Sequence, residues 1–329
     1  MTTYLWGMRR LSHFASMMKI VIIIFAAVLF SVSANAQLLW KITGNGLSKP
    51  SYLLGSMHYA PTHFIDSIQG LRAVMAEVEQ CYGEAVDSDT TVNYFTPDDS
   101  VLEMPEDSVM SDFYTKEEQN RINHFIFRLT VFEEDDFLGE YEDDTPGAVF
   151  HDLVREHVYE DNAKFVFGSI PQITFDTNFE IDAIKNNKPV GALDDSELHR
   201  SVISDDLYLG RHALKMQAKS LLFFIDNYAT LSHSIYRSMV EYRSQDLLRI
   251  NNTRSIKQRN KGYRKEKNTS CQGRNITWAK KMPAIMADKS TLFVVGVAHL
   301  GHPKEKRGLL QLLQKAGYTL EPVSQPTQN

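Results

Sequence analysis

Two histidines, His58 and His299, stand 241 positions apart at the ends of matching segments. Ser51-Tyr52-Leu53-Leu54-Gly55-Ser56-Met57-His58 is an apolar run closed by Gly-x-x-His, and Thr291-Leu292-Phe293-Val294-Val295-Gly296-Val297-Ala298-His299 is another. A neutral imidazole can ligate a metal or accept a proton near neutral pH. Glu84 is the carboxylate that could join them. Two imidazoles and a carboxylate suit Zn²⁺, Mn²⁺ or Co²⁺, with positions left for a water whose pKa the metal would lower. Taken singly, each histidine reads as packed near a turn and Glu84 as surface charge. The matching of the two Gly-x-x-His units favours one shared site.

Both runs are short, rich in β-branched and aromatic residues, and cut by a glycine that permits a sharp turn. They predict buried strands whose histidines leave at the C-terminal ends, where open α/β sheets collect ligands. Leu38 to Thr43 and Ser51 to Gly55, separated by Gly44-Asn45-Gly46 and Lys49-Pro50, predict a β-hairpin. Ile68 to Glu79 has helical spacing, and Cys81 to Val86 reads as a strand carrying Glu84. Strand, Gly-x-x-His, helix and strand together predict a βαβ unit with parallel pairing.

From about residue 106 to 250 the pattern is mostly helical. Helices are predicted over Glu117 to Phe132, Pro146 to Glu160, Asp205 to Asp226 and Ala229 to Ile250, with one short strand at Lys188 to Leu193. Asn275 to Met286 and Gly308 to Ala316 predict helices, and Thr291 to Val295 and Tyr318 to Val323 predict strands. The strands gather at the two ends of the chain. The fold class is therefore α/β (or α+β): a central mixed sheet built from the N- and C-terminal segments, with the helical middle as a cap, in one domain over residues 37–329.

The chain has 329 residues, 43% hydrophobic and 23% charged, ordinary globular proportions that allow a sizeable core. Arg9, Arg10 and Lys19 precede or open the apolar run Ile20 to Val32, and Ala34-Asn35-Ala36 follows as a small-x-small cleavage pattern. Residues 1–36 read as a signal peptide, too short in its apolar part to remain as a membrane span, and place the mature chain in the periplasm or outside the cell. Losing those three positive charges takes the formal net charge from −6 to −9, which argues against nucleic acid as a partner. The basic stretch Arg254 to Lys267 and the acidic stretches Glu133 to Asp136 and Glu140 to Asp144 read as solvated loops. Cys81 and Cys271 are the two cysteines outside that segment; in an exported protein such a pair can form a disulfide, and spacing alone does not decide it.

There is no G-x-S-x-G elbow, no H-E-x-x-H, no phosphate-binding G-x-x-x-x-G-K-[ST] loop and no dinucleotide fingerprint after a strand. What the chain does contain is an ordered series of blocks. They are Leu39-Trp40-Lys41, Tyr52 to His58, Cys81 to Glu84, Lys188-Pro189-Val190 with Leu193-Asp194-Asp195, Arg274-Asn275 with Trp278, Gly296 to Leu300, Gly308 to Leu310, and Gly317-Tyr318. In order and spacing the series resembles the TraB/GumN family, which includes the TIKI metalloproteases, over nearly the whole mature chain.

The resemblance implies metal-dependent cleavage of peptide bonds. His58, Glu84 and His299 would hold the metal, or one of them would act as base. Arg274 would clamp a carboxylate or an oxyanion, and Asn275 would hold a carbonyl or orient a ligand histidine. Arg274 equally fits a buried ion pair with Glu84 or Asp194. Two departures stand out. Leu193-Asp194-Asp195 replaces the family's Leu-Glu-Thr with a shorter acid, and Gly301 directly follows Leu300, with His302 after it as an exposed loop residue or third ligand. The implied partner is a peptide or protein substrate. Two alternatives use the same residues: a peptide- or haem-sequestering protein without turnover, and a metal-free hydrolase with a histidine base.

Overall fold

A computed structural model describes residues 37–86, 102–129, 139, 141–203, 213–250, 270–301 and 306–323. The expected signal segment, the basic stretch 254–267, the acidic residues 133–136 and His302 lie outside them.

Six strands form one mixed sheet: β1 (Leu39–Gly44), β2 (Ser51–Ser56), β3 (Gln80–Gly83), β4 (Val190–Ala192), β5 (Thr291–Gly296) and β6 (Tyr318–Pro322), in the order β4-β3-β5-β2-β1-β6. β1 and β2 make the expected antiparallel hairpin, and Gly44, Asn45 and Gly46 all take positive φ in its turn (83°, 49° and 86°). β1 also pairs antiparallel with β6. The other pairs are parallel, and β2 and β5 run side by side with Ser56 opposite Gly296. The two Gly-x-x-His strands are thus neighbours that end on one rim. Every residue of β2 and all but the last of β5 are buried, as expected for strands covered on both faces.

The βαβ unit is real but interleaved. After β2, helix α1 (Leu71–Glu77) leads to β3, which is parallel to β2 in direction but separated from it by β5. β3 also stops at Gly83, so Glu84 is the first residue beyond the strand rather than part of it.

The middle of the chain supplies α2 (Lys116–Leu129), α3 (Pro146–Val154), α4 (Asp161–Phe167), α5 (Thr177–Lys185), α6 (Ser196–Ile203), α7 (Leu214–Arg243) and α8 (Leu247–Ile250). Two expectations change here. Of the pair of helices predicted over 205–226 and 229–250, residues Leu214–Arg243 form one continuous 30-residue helix, α7, followed by the short α8, while residues 205–212 lie outside the described residues. No glycine or proline interrupts α7, and Asn227, the residue most able to break it, folds its amide back onto the Phe223 carbonyl at 2.8 Å. The helix predicted over Pro146 to Glu160 is α3 followed by a π-helical turn (Arg155–Glu160). Near the C-terminus lie α9 (Cys271–Asp288) and α10 (Leu309–Lys315).

Two hydrophobic cores result. One packs α1, α9 and α10 on the sheet around Phe293, Trp278 and Leu53. The other joins α2, α3, α4 and α7 through residues such as Ile122, Phe150, Phe224 and Met239. β4 and α5 belong to the sheet side, so the cap is formed by only part of the helical middle. Met57 packs against both cores, which places the turn before His58 at their seam.

Cys81 is buried in β3 and Cys271 is partly buried at the start of α9, and the candidate disulfide between them is not present.

Gly55 explains how the two rim turns fit. A Cβ there would lie 2.6 Å from Leu300 Cδ1 and 3.1 Å from Val297 Cγ2, both in the turn that carries His299. The turn of one unit therefore sits in the space left by the glycine of the other. Gly55→Ala is expected to cost about 1–3 kcal/mol by overpacking. A thermal melt unchanged from wild type would contradict this packing.

Candidate functional site

Helix α9 opens on Ser270, whose hydroxyl accepts from the Gly273 amide at 3.1 Å, and it presents Cys271, Arg274, Asn275 and Trp278 at helical spacing on one face. That face lies beneath the rim of β3, β4 and β5. Arg274 is 5% exposed. Its Nε donates to Asp194 Oδ2 at 2.9 Å, and its Nη2 donates to Asp194 Oδ2 at 2.6 Å and to Glu84 Oε2 at 2.5 Å. Trp278 Nε1 donates to the other Asp194 oxygen at 2.7 Å, and its ring lies under Arg274 Cζ at 4.5 Å and against the His299 ring at 4.4 Å between centroids. The shorter acid of Leu193-Asp194-Asp195 therefore reaches Arg274 fully.

Glu84 is tied at both oxygens. Oε1 accepts from the Gly296 amide at 2.7 Å and Oε2 from Arg274. A side chain at Gly296 would crowd that carboxylate, since its Cβ would stand 3.3 Å from Oε1. Burial acts to raise the Glu84 carboxyl, but Arg274, then His299 and His58, and the Gly296 amide outweigh it and hold the group well below the usual carboxylate range. Asp194 is likewise lowered against its burial, by His199, Arg274 and Trp278. Burial disfavours the Arg274 charge, and the two carboxylates more than restore it. Glu84 is thus a fixed anion and a poor proton acceptor near neutrality.

His299 is buried and its tautomer follows from Asn275. The Asn275 amide nitrogen donates to the His299 and Arg307 carbonyls at 3.2 and 2.9 Å, which turns its Oδ1 toward the imidazole, 2.6 Å from Nδ1. Nδ1 therefore carries a proton. Nε2 faces Arg274 Nη1 at 3.4 Å and Glu84 Oε1 at 3.6 Å. The thiol of Cys271 lies 3.5 Å from Nδ1 and 3.7 Å from the Ala298 carbonyl. Asn275 thus orients the His299 ring.

His58 differs from His299 in exposure. Its side chain is 52% exposed, and its Nδ1 lies 2.7 Å from Oδ2 of Asp176, whose side chain is only 10% exposed. Ser56 Oγ donates to the other Asp176 oxygen in a very short hydrogen bond. The His58 carbonyl accepts from the Phe175 amide at 3.0 Å, so the loop before α5 holds both the backbone and the ring of His58. Asp176 and Ser56 were not singled out in the sequence. Asp176 sits in Phe-Asp-Thr within the helical middle and matches no motif; only the fold brings it to β2.

The blocks that build this rim are those of a family pattern. A family model for the TraB/PrgY/gumN family matches residues 38–322. The chain belongs to this family. No curated protein and no solved structure matches it. In this TraB/PrgY/gumN member, His58, Glu84, His299, Arg274 and Asn275 all lie at the ends of β2, β3 and β5 or on α9 below them. Arg274, Asn275, Glu84 and His299 are in direct contact; His58 stands nearer solvent, close enough for its charge to act on Glu84.

The trio expected to ligate a metal does not form a ligand set in this arrangement. Both Glu84 oxygens are committed, the Arg274 cation fills the space between Glu84 and Asp194, and His58 faces Asp176. Among the described residues, no group of three or more His, Cys, Asp or Glu side chains is placed to hold a metal ion. What the arrangement offers is a carboxylate-supported imidazole open to solvent beside a rigid buried anion.

Arg274→Gln removes the one cation facing two buried carboxylates and is expected to cost roughly 3–5 kcal/mol at neutral pH. In wild type, the lowered carboxyls contribute stability above their unfolded pKa near 4, and that contribution is lost as pH falls through their folded values. In the variant, burial acts on Glu84 without its main counter-charge, so its carboxyl rises above the unfolded value. The variant should then gain stability between about pH 7 and pH 5 while wild type does not. Urea melts with parallel pH dependence would refute this account.

Proposed function

We propose that this family member is an exported hydrolase of peptide or related acyl bonds in which His58 is the general base. The observation that carries the reading is the pairing of a half-exposed imidazole with a buried carboxylate, His58 with Asp176. A base must reach substrate and solvent, and its protonated form must be stabilised when it takes the proton. His58 meets the first condition by exposure and Asp176 the second by charge.

In the proposed step, His58 removes a proton from water as the oxygen attacks the substrate carbonyl. Asp176 stabilises the imidazolium, and the same proton passes to the leaving group as the tetrahedral adduct collapses. Glu84 stays ionised and accepts a hydrogen bond from the other O–H of the water, which keeps that proton. Arg274, Asp194, Asn275 and His299 keep Glu84 in place and free from the cost of reorganising during the reaction.

The metal-dependent peptidase implied by the resemblance rests on the same rim and differs in one requirement, a bound cation. No step above is routed through one. A fluorogenic peptide library and a panel of aryl esters, assayed with and without a chelator, separate the readings. Cleavage is expected to survive the chelator and to fall by about 10²–10⁴-fold in His58→Ala. Activity lost to the chelator and restored by Mn²⁺, Co²⁺ or Zn²⁺ would replace the general-base reading with the metal-dependent one. Peptide or haem retained without turnover would make the protein a sequestering module.

A further inference from the structure

We propose that Tyr242, on the long helix α7, is a positioning residue for His58: its hydroxyl holds the Gly55 carbonyl at the end of β2 and so fixes where the imidazole three residues later stands. The inference rests on the reading of His58 as the reacting group.

The geometry begins with an incomplete ladder. Leu39, the first residue of β1, lies opposite Leu54, and the Gly55 amide donates to the Leu38 carbonyl at 2.8 Å. The Gly55 carbonyl points to the same side as its amide and has run past the start of β1. Tyr242 supplies the donor there, with its hydroxyl 3.1 Å from the Gly55 oxygen. That hydroxyl therefore holds the end of β2 three residues before His58.

The phenol is well suited to this task. Tyr242 has no exposed surface, and its ring packs 5.5 Å from that of Phe64. Burial, with the charge of Asp176, keeps the hydroxyl protonated far above the working range of pH, so it remains a neutral donor. Removing it leaves the buried Gly55 carbonyl without that partner, and the strand end has reason to relax. His58 is then no longer held in place against Asp176.

The position matters because Tyr242 lies near the C-terminal end of α7, where the cap helix enters the sheet core, and its hydroxyl there ties that helix to β2. A displacement of about 1 Å in a reacting group can cost on the order of 10²-fold in rate.

Tyr242→Phe keeps the ring and removes the hydroxyl. Phe64→Leu disturbs the same aromatic packing while leaving the hydroxyl in place, and serves as the stability control. Both are assayed with the best-cleaved peptide or aryl ester, at a temperature where melts show them folded. Tyr242→Phe should lower kcat by on the order of 10-fold or more with little change in KM, and Phe64→Leu should leave both constants near wild type. A second readout needs no activity: residue-resolved labelling by diethyl pyrocarbonate, with His233 as internal reference. His58 in Tyr242→Phe should be labelled several-fold faster than in wild type, and in Phe64→Leu at the wild-type rate. Unchanged His58 labelling in Tyr242→Phe, or equal effects in the two variants, overturns the proposal. Changed labelling with activity that does not require His58 would leave Tyr242 in place as its positioner and remove the general-base reading instead.

Discussion

The Arg274 guanidinium sits 5% exposed between carboxylates that belong to different strand ends, Glu84 after β3 and Asp194 after β4. Removing such a charge from water costs several kcal/mol unless its hydrogen bonds are met. Here they are met by two anions and by the π-face of Trp278. Because Glu84 also accepts from the Gly296 amide, the single cation links the ends of β3, β4 and β5 to α9. Arg274 thus organises the rim, and its two carboxylates leave that cluster with one surplus negative charge, part of it near the solvent side at Glu84. That surplus favours cationic groups at the mouth of the site.

A second constraint comes from the division of the hydrophobic interior. The sheet core and the cap core are separate clusters, and Met57 is one of the few residues that packs against both. His58 follows it directly. The base candidate is therefore set at a boundary between two bodies, while its neighbours Arg274 and His299 are embedded in one of them. Access for a substrate and rigidity of the anion behind it are met by different parts of the fold. Tyr59, next in the chain, stacks at 4.6 Å on Tyr159 of the π-helical turn and ties the same boundary from the other side.

Much of the sheet was legible because its determinants are local. The runs before Gly55 and Gly296 carry enough β-branched and aromatic residues to read as buried strands, and their duplication placed both histidines on one rim. Arg274, Asn275 and Trp278 were legible as a block because a helix puts those spacings on one face. The parts that could not be read are those fixed by long-range packing. Asp176 looks like any acid in a helical stretch, and only the return of α5 to β3 brings it under His58. The true length of α7 was hidden because Asn227 resembles a break in composition but satisfies its amide inside the helix. The interposition of β5 between β2 and β3 could not be read from the βαβ pattern, which gives direction but not neighbours. The metal expectation came from ligand types and the family resemblance; the ion pair of Arg274 with Glu84 or Asp194 was open as an alternative, and only packing brings both carboxylates to it.

That interposed strand also shapes how the molecule must be made. β5 lies between two strands encoded more than 200 residues earlier, and β6 closes on β1 at the opposite end of the chain. Until residue 296 has been synthesised, β2 and β3 have no partner between them, and their facing edges remain unpaired backbone. Such edges invite pairing with other chains, and topologies rich in distant contacts assemble slowly. For a growing chain the cap helices, whose contacts are mostly nearer in sequence, can settle first. The sheet then forms late, and the rim exists only once β5 and His299 have been made. The site is therefore absent from every shorter, unfinished product.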